Sequence, residues 1–134
     1  MNDKIEYDLE SIESAVNELV KVSHGASYNA GWHHNIETGE LNETTQELVG
    51  DKLMLIVTEV AEAKEGFRKN LKDDKLPHRD MCEVELADVI IRVGDLAGRL
   101  GYDLGGAVKE KLEFNANRED HKIENRKGVN GKKT

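Results

Sequence analysis

Apolar residues recur along this chain at alternating spacings of four and three positions, the period of an amphipathic α-helix. The first run contains Ile5, Leu9, Ile12, Val16 and Leu19. Three further runs follow, and the third has the cleanest pattern, from a capping Asp80 to Gly101. The pattern predicts an all-α bundle of four main helices, at residues 5–22, 43–69, 80–101 and 103–120.

Local signals predict where these helices begin and end. The first helix is expected to stop where small and polar residues appear, at His24, Gly25 and Ser27. Residues 25–42 keep no period and are predicted to form a loop. Thr44 and Glu47 have the spacing of a capping box, which predicts the start of the second helix.

The length of 134 residues is enough for one domain with its own core. Residues 1–120 are expected to form that domain, and residues 121–134 a flexible basic arm. Cys82 is the single cysteine, so the chain cannot form an internal disulfide, and a reducing cytoplasmic setting is expected. No apolar run approaches the ~18–20 residues that cross a membrane, and the polar first residues are unlike a targeting peptide.

The net charge of −8 is distributed unevenly along the chain. Residues 109–134 hold eight basic and five acidic residues, a balance of +3, whereas the preceding part carries −11. An acidic body argues against general binding of nucleic acid, because phosphate backbones attract basic surfaces. The basic end is interpreted either as a solvated tail or as a segment that meets a small polyanion.

Two acidic pairs lie beside apolar stripes on the second and third predicted helices. Glu59 and Glu62 form the first pair, and Glu85 and Asp88 form the second. A spacing of three places both carboxylates of a pair on the same helix face. Four carboxylates near a core repel one another unless a positive charge lies among them. Because hard divalent cations prefer oxygen ligands, the pairs predict a site for Mg²⁺, with Mn²⁺ as an alternative.

The predicted loop carries the only tryptophan of the chain, in the run Gly31-Trp32-His33-His34. Trp32 either covers part of the core or stacks on a flat ligand such as a nucleotide base. The two adjacent histidines point apart and are not expected to chelate one metal ion.

The fourth helix has a stripe that changes character along its length. Leu104 and Val108 begin it, and Lys111, Asn115 and Arg118 continue it. A helix that only packs keeps apolar residues on such a line, so the polar end is interpreted as facing a ligand. The alternative is that the helix runs out into solvent beyond Leu112.

Three runs resemble the MazG-like branch of the all-α nucleoside triphosphate pyrophosphohydrolases: KLMLIVTEVAEAKEGFR, ELADVIIRVGDLAGRLGYDL and KEKLEFNANR. The resemblance covers about Gly31 to Lys133. Its specific part is an E-x-x-E pair followed by an E-x-x-D pair, matched by Glu59, Glu62, Glu85 and Asp88. Gly31-Trp32 is similar to the aromatic loop of the family, and Lys111, Asn115 and Arg118 match a K-x-x-x-N-x-x-R line. The chain departs from the family at its end, where HKIENRKGVNGKKT is longer than the usual short Gly-Gly-Lys ending.

The resemblance implies hydrolysis between the α- and β-phosphates of a nucleoside triphosphate, which gives a monophosphate and pyrophosphate. It also implies a homodimer or a higher homo-oligomer. The four carboxylates would hold the metal and carry the catalysis. Lys111 and Arg118 would pair with phosphate oxygens, Asn115 with sugar or phosphate, and Trp32 would stack on the base.

Other interpretations of the same residues remain. One is a nucleotide-binding regulator that keeps the site without turnover, and another is a helical interaction module on which Mg²⁺ has no effect. A di-iron carboxylate bundle is disfavoured, because that class uses Glu-x-x-His motifs and no Glu here has a His three positions later.

Overall fold

The computed structural model describes residues 4–118, 120 and 122–134, and within them every regular element is a helix. This confirms the all-α prediction, because four helices are long and no strand is present in that part of the chain. The long helices are followed by a single short turn of helix near the end. The five helices are α1 (Ile12–Asn29), α2 (Gln46–Arg68), α3 (Met81–Leu100), α4 (Leu104–Ala116) and α5 (Ile123–Arg126).

The first helix is displaced toward the C-terminus from its predicted position at residues 5–22. It begins at Ile12, and Ile5, expected on its apolar stripe, is outside it and 88% exposed. It continues through the predicted stop signals to Asn29. Ser23 in this extension is buried against Gly94 of α3, so packing of a polar face outweighs the local signals that favour an end.

The ends of α2 and α3 lie close to those predicted from the sequence, and only their N-terminal caps differ. Thr45, rather than Thr44, caps α2, and its hydroxyl accepts a hydrogen bond from the Leu48 amide. Asp80 precedes α3 as predicted, but its carboxylate pairs with Lys72 instead of capping the helix. Gly101 ends α3 as predicted, with a left-handed φ of 68° that favours glycine.

The C-terminal segment differs from the predicted long helix followed by an arm. Helix α4 ends at Ala116 rather than at Asp120, so Arg118 lies after the helix. The predicted boundary between residues 120 and 121 falls partly outside the described residues. Beyond it, α5 occupies four residues of the predicted arm.

The chain divides into two compact units. The first unit combines the chain up to Asn17 with the chain from Asp103 onward, and the second unit spans Glu18–Tyr102. In the first unit, the Asn17 amide bonds the Asp103 carboxylate at 2.9 Å and accepts a hydrogen bond from the Gly105 amide at 2.8 Å.

The second unit contains the α2–α3 hairpin. Gly66 of α2 lies against Met81 at the start of α3, and Glu59 lies against Arg92 further along, so the two helices run antiparallel. Gly98 of α3 approaches His24 of α1 so closely that an added Cβ would lie 2.5 Å from the His24 Cβ.

Much of the apolar stripe expected in the core is open to solvent in the single chain. Leu53, Val57 and Val60 of α2 and Leu86 and Ile90 of α3 are each about half exposed. Within the described residues, the buried apolar side chains are Val20, Ala63, Leu96 and Ala97, whereas the buried polar ones are Ser23, His33, Glu59, Asp73 and Glu85. The hairpin therefore buries Glu59 and Glu85, while apolar residues beside them on both helices remain exposed. None of the described helices is both long and apolar enough to pass through a membrane.

Candidate metal centre

Three of the four predicted carboxylates meet between α2 and α3. Oxygens of Glu59, Glu85 and Asp88 all lie within 4.8 Å of one another. Glu59 and Glu85 are buried and Asp88 is half-buried. Glu62 is exposed and outside this triad, but it is close enough for its charge to raise the pKa of Glu85.

The triad shares a proton unequally. Burial, the hydrogen bond with Glu59 and the negative charges of Glu62, Glu59 and Asp88 raise the pKa of Glu85 to about 8. Burial also acts against ionised Glu59, but hydrogen bonds from Glu85 and Arg92 outweigh it and hold the Glu59 pKa below its usual value. At neutral pH, Glu85 is therefore largely protonated and donates to an ionised Glu59.

Arg92 supplies positive charge beside the triad. Its Nε donates to Glu59 Oε1 at 2.9 Å, and its guanidinium is partly exposed. It follows Asp88 by one helical turn on α3 and opposes the rise in the Asp88 pKa that burial and Glu59 cause. With Glu85 protonated, one guanidinium still faces the carboxylates of Glu59 and Asp88, so the cluster is short of positive charge.

The donor set fits a hard divalent cation. The three groups offer carboxylate oxygens, which Mg²⁺ and Mn²⁺ prefer, and they come from two helices that are packed together. In the described part of the chain, Glu85 Oε2 is buried without a hydrogen-bond partner. A buried oxygen of this kind costs free energy until a cation, a proton donor or water satisfies it.

The loop element lies where the sequence put it, on the segment between α1 and α2. Trp32 is 75% exposed, so it does not cover a core within the chain. His33 is fully buried and bonded to Asp95 and Arg99, whereas His34 is half-buried and packs its ring against Tyr28.

The polar stripe of the fourth helix belongs to the other unit. Lys111 is exposed and stands 5.0 Å from the centre of the Phe114 ring. Arg118 pairs with Asp120 through two hydrogen bonds. Asn115 is half-buried, and among the described residues its Oδ1 is buried without a partner. The predicted contacts of Lys111, Asn115 and Arg118 with substrate stay predictions.

A second polar cluster, which the sequence interpretation missed, lies further along the same face of α3. Asp95 accepts hydrogen bonds from His24 and His33, and Arg99 bonds the other nitrogen of His33. Asp95 and Arg99 continue the line of Glu85, Asp88 and Arg92 at spacings of three and four residues. That continuation was the available signal, because an unbroken polar stripe on a packed helix predicts polar partners opposite it.

No protein-family model, no curated protein and no solved structure matches this chain. The resemblance drawn from the acidic pairs therefore stays a prediction, and the function is argued from the geometry of the cluster.

Proposed function

We propose that this protein is a Mg²⁺-dependent hydrolase that cleaves nucleoside triphosphates between the α- and β-phosphates, releasing pyrophosphate. The observation that carries the proposal is the buried triad of Glu59, Glu85 and Asp88, which lacks enough positive charge and leaves Glu85 Oε2 without a partner. The spacing of these residues is the specific part of the family resemblance.

Each carboxylate has a separate part in this proposal. Glu59, Glu85 and Asp88 would hold the ion directly, and Glu62 would complete the shell from the exposed edge. When bound, Mg²⁺ or Mn²⁺ supplies charge for the triphosphate and makes hydroxide available near neutral pH. Glu85 has to give up its proton to become a ligand, so binding is expected to release a proton. In an alternative arrangement, one of the glutamates would orient the attacking water instead of binding the metal.

Charge explains why such a site needs a metal before it accepts a triphosphate. The cluster is acidic, and the only described cation bonded to it is Arg92, which is already shared with Glu59. An unassisted triphosphate would be repelled by these carboxylates. Metal-dependent binding is therefore expected to precede catalysis.

The proposal includes self-association. The exposed apolar side chains flank the acidic pairs on both helices, and burying them would contribute roughly 25 cal/mol per Å² of apolar surface. They include Leu53, Met54, Val57, Val60, Leu86 and Ile90. Light scattering at micromolar concentration is expected to give a dimer or larger species, and a mass of only 15.0 kDa would contradict this part.

The decisive experiment incubates the pure protein with a panel of nucleoside triphosphates and Mg²⁺, and assays pyrophosphate against orthophosphate. Pyrophosphate with a stoichiometric monophosphate is expected, and EDTA should abolish it. Glu83→Gln is the matched control, because Glu83 lies on α3 as an exposed partner of Arg79. Metal-dependent nucleotide binding without any product would instead support the regulator without turnover.

A further inference from the structure

The segment between α1 and α2 is folded back on itself rather than extended. The Asn42 amide donates to the His33 carbonyl at 2.9 Å, and the Asn35 amide donates to the Glu40 carbonyl at 2.8 Å. An isolated antiparallel β-bridge between His34 and Leu41 also joins the two arms of this segment, the one that follows α1 and the one that precedes α2. This loop, from Gly31 to Thr44, presents Trp32, Ile36 and Leu41 to solvent.

Arg99 of α3 holds the base of this loop at three points. One terminal nitrogen donates to the Asn42 carbonyl at 2.5 Å, and Nε donates to the Thr44 hydroxyl at 3.3 Å. The other terminal nitrogen lies 2.7 Å from His33 Nδ1. Both arms of the loop are therefore bonded to one guanidinium.

The partners of His33 determine which of its nitrogens carries the proton. A guanidinium can only donate, so His33 Nδ1 must accept from Arg99. The proton of the neutral ring is then on Nε2, which lies 2.7 Å from Asp95 Oδ1 and donates to it. Because the ring is 0% exposed, water cannot replace either partner.

Charged and titratable groups face this ring from every packed helix. Helix α1 contributes His24, whose Nδ1 lies 2.9 Å from Asp95, and Tyr28, which stacks near the ring. Helix α2 contributes Lys52, and α3 contributes Asp95 and Arg99. Burial, with help from Lys52 and Arg99, lowers the pKa of His33 below 6.5 although Asp95 acts in the opposite direction.

A metal ion is a poor explanation for this cluster. His24, His33 and Asp95 do bring possible ligand atoms within 4.8 Å of one another. Metal at His33 Nε2 would move the ring proton to Nδ1, where it would face the donor group of Arg99 at 2.7 Å. The hydrogen bonds already satisfy the ring without a metal.

We propose that His33, Asp95 and Arg99 form a proton-sensitive clamp on the loop that carries Trp32. Neutral His33 joins the loop to α3 through both ring nitrogens. A second proton at Nδ1 would point at the Arg99 guanidinium, so that bond would break and the base of the loop would lose one of its three attachments to Arg99. The clamp goes beyond the proposed hydrolysis and stands even if the protein hydrolyses no triphosphate.

The direction of the pH effect follows from the lowered pKa of His33. Because its folded-state pKa is below the unfolded value, the clamp contributes its full stability above about pH 6.5. That contribution is lost as the pH falls through the lower folded-state value. The loop is therefore clamped at neutral pH and loosened in acid.

The chain offers a direct reporter, because Trp32 is its only tryptophan and adjoins His33. Time-resolved fluorescence anisotropy of Trp32 between pH 8 and 4.5 should show faster local motion below pH 6.5, while circular dichroism shows that the helices persist. His33→Gln should remove this step. His34→Gln is the matched control on the same loop and should retain it.

Nitrogen-15 NMR of the histidine rings tests the tautomer itself. At pH 7.5, His33 should carry its proton on Nε2 and titrate below 6.5, and Arg99→Gln should raise its pKa. This variant gives a readout even if His33→Gln fails to fold. A proton on Nδ1, a Trp32 step unchanged in His33→Gln, or stabilisation of the wild type by one equivalent of zinc would each overturn the clamp.

Discussion

The acidic triad and the His33 clamp lie on one polar stripe of α3, yet they balance charge in opposite ways. Glu85, Asp88, Arg92, Asp95 and Arg99 follow one another at spacings of three and four residues. In the triad, three carboxylates meet one arginine. In the clamp, Asp95 meets two histidines and one of them meets Arg99.

The comparison separates a region suited to ligand binding from one that is complete in itself. Within the described residues, Glu85 Oε2 is buried without a partner, whereas both nitrogens of His33 are bonded. An unsatisfied acidic region gains most from an added cation, and a satisfied network loses most when a member is removed. The predictions below test this contrast.

The largest expected effect is on turnover in the triad. Asp88→Asn or Glu62→Gln should lower turnover more than about 100-fold, because loss of even outer partners of a metal costs about 10–100-fold. Both variants should fold, and Asp88→Asn should be no less stable than the wild type without metal, since one repulsive charge is gone. Initial rates with Mg²⁺ and melting temperatures without it are the measurements. Near wild-type rates in both variants would show that these acidic side chains are solvated surface groups with no part in turnover.

Removing a member of the clamp should instead damage stability. Asp95→Ala leaves the buried Nε2–H of neutral His33 without its acceptor and removes the hydrogen-bond partner of His24, so it should cost about 1–3 kcal/mol, as for a buried donor left unsatisfied. Asp74→Ala, in an exposed part of the α2–α3 connection, should change stability by less than about 0.5 kcal/mol. Urea unfolding measures both variants. Equal midpoints would mean that the clamp does not hold the structure together.

The sequence predicted the triad better than the clamp for a physical reason. Acidic pairs at helical spacing on two linked helices are local patterns, so Glu59, Glu85 and Asp88 could be placed together from the period alone. The clamp depends on a loop histidine that reaches α3 across 62 positions, and no local pattern encodes that contact. The position of α1 was missed for the same reason, because Ser23 and His24 pack against glycines rather than apolar residues.

The two regions should also respond to pH with opposite signs. Glu85 has a pKa raised from 4.5 to about 8. Its contribution to the free energy of unfolding is therefore complete at low pH and is lost as the pH rises through that window. The contribution of His33 is lost as the pH falls below 6.5. Thermal melts of the metal-free protein measure both effects. The loss of stability with rising pH should disappear in Glu85→Gln, and the loss of stability with falling pH should disappear in His33→Gln.

Magnesium should sharpen this contrast, because it competes with the Glu85 proton and does not involve the clamp. At a concentration 100 times its dissociation constant, it should add about 2.7 kcal/mol. The gain in melting temperature should be larger at pH 8.5 than at pH 5.5, and it should be unchanged in His34→Gln. A gain that does not depend on pH would place the ion away from Glu85.

The smallest effects are expected from two glycines near the clamp. Gly25 lies inside α1 with nothing within 4 Å of an added Cβ, so Gly25→Ala should stabilise the protein by about 0.5–1 kcal/mol through reduced chain entropy. An added Cβ at Gly98 would lie 2.5 Å from His24 Cβ. Gly98→Ala should therefore push α1 away and cost about 1–3 kcal/mol, offset in part by its better helix propensity. The same substitution in two neighbouring helices thus has opposite expected signs. Urea unfolding should resolve them, and stabilisation by both would mean that α1 does not depend on this close approach to α3.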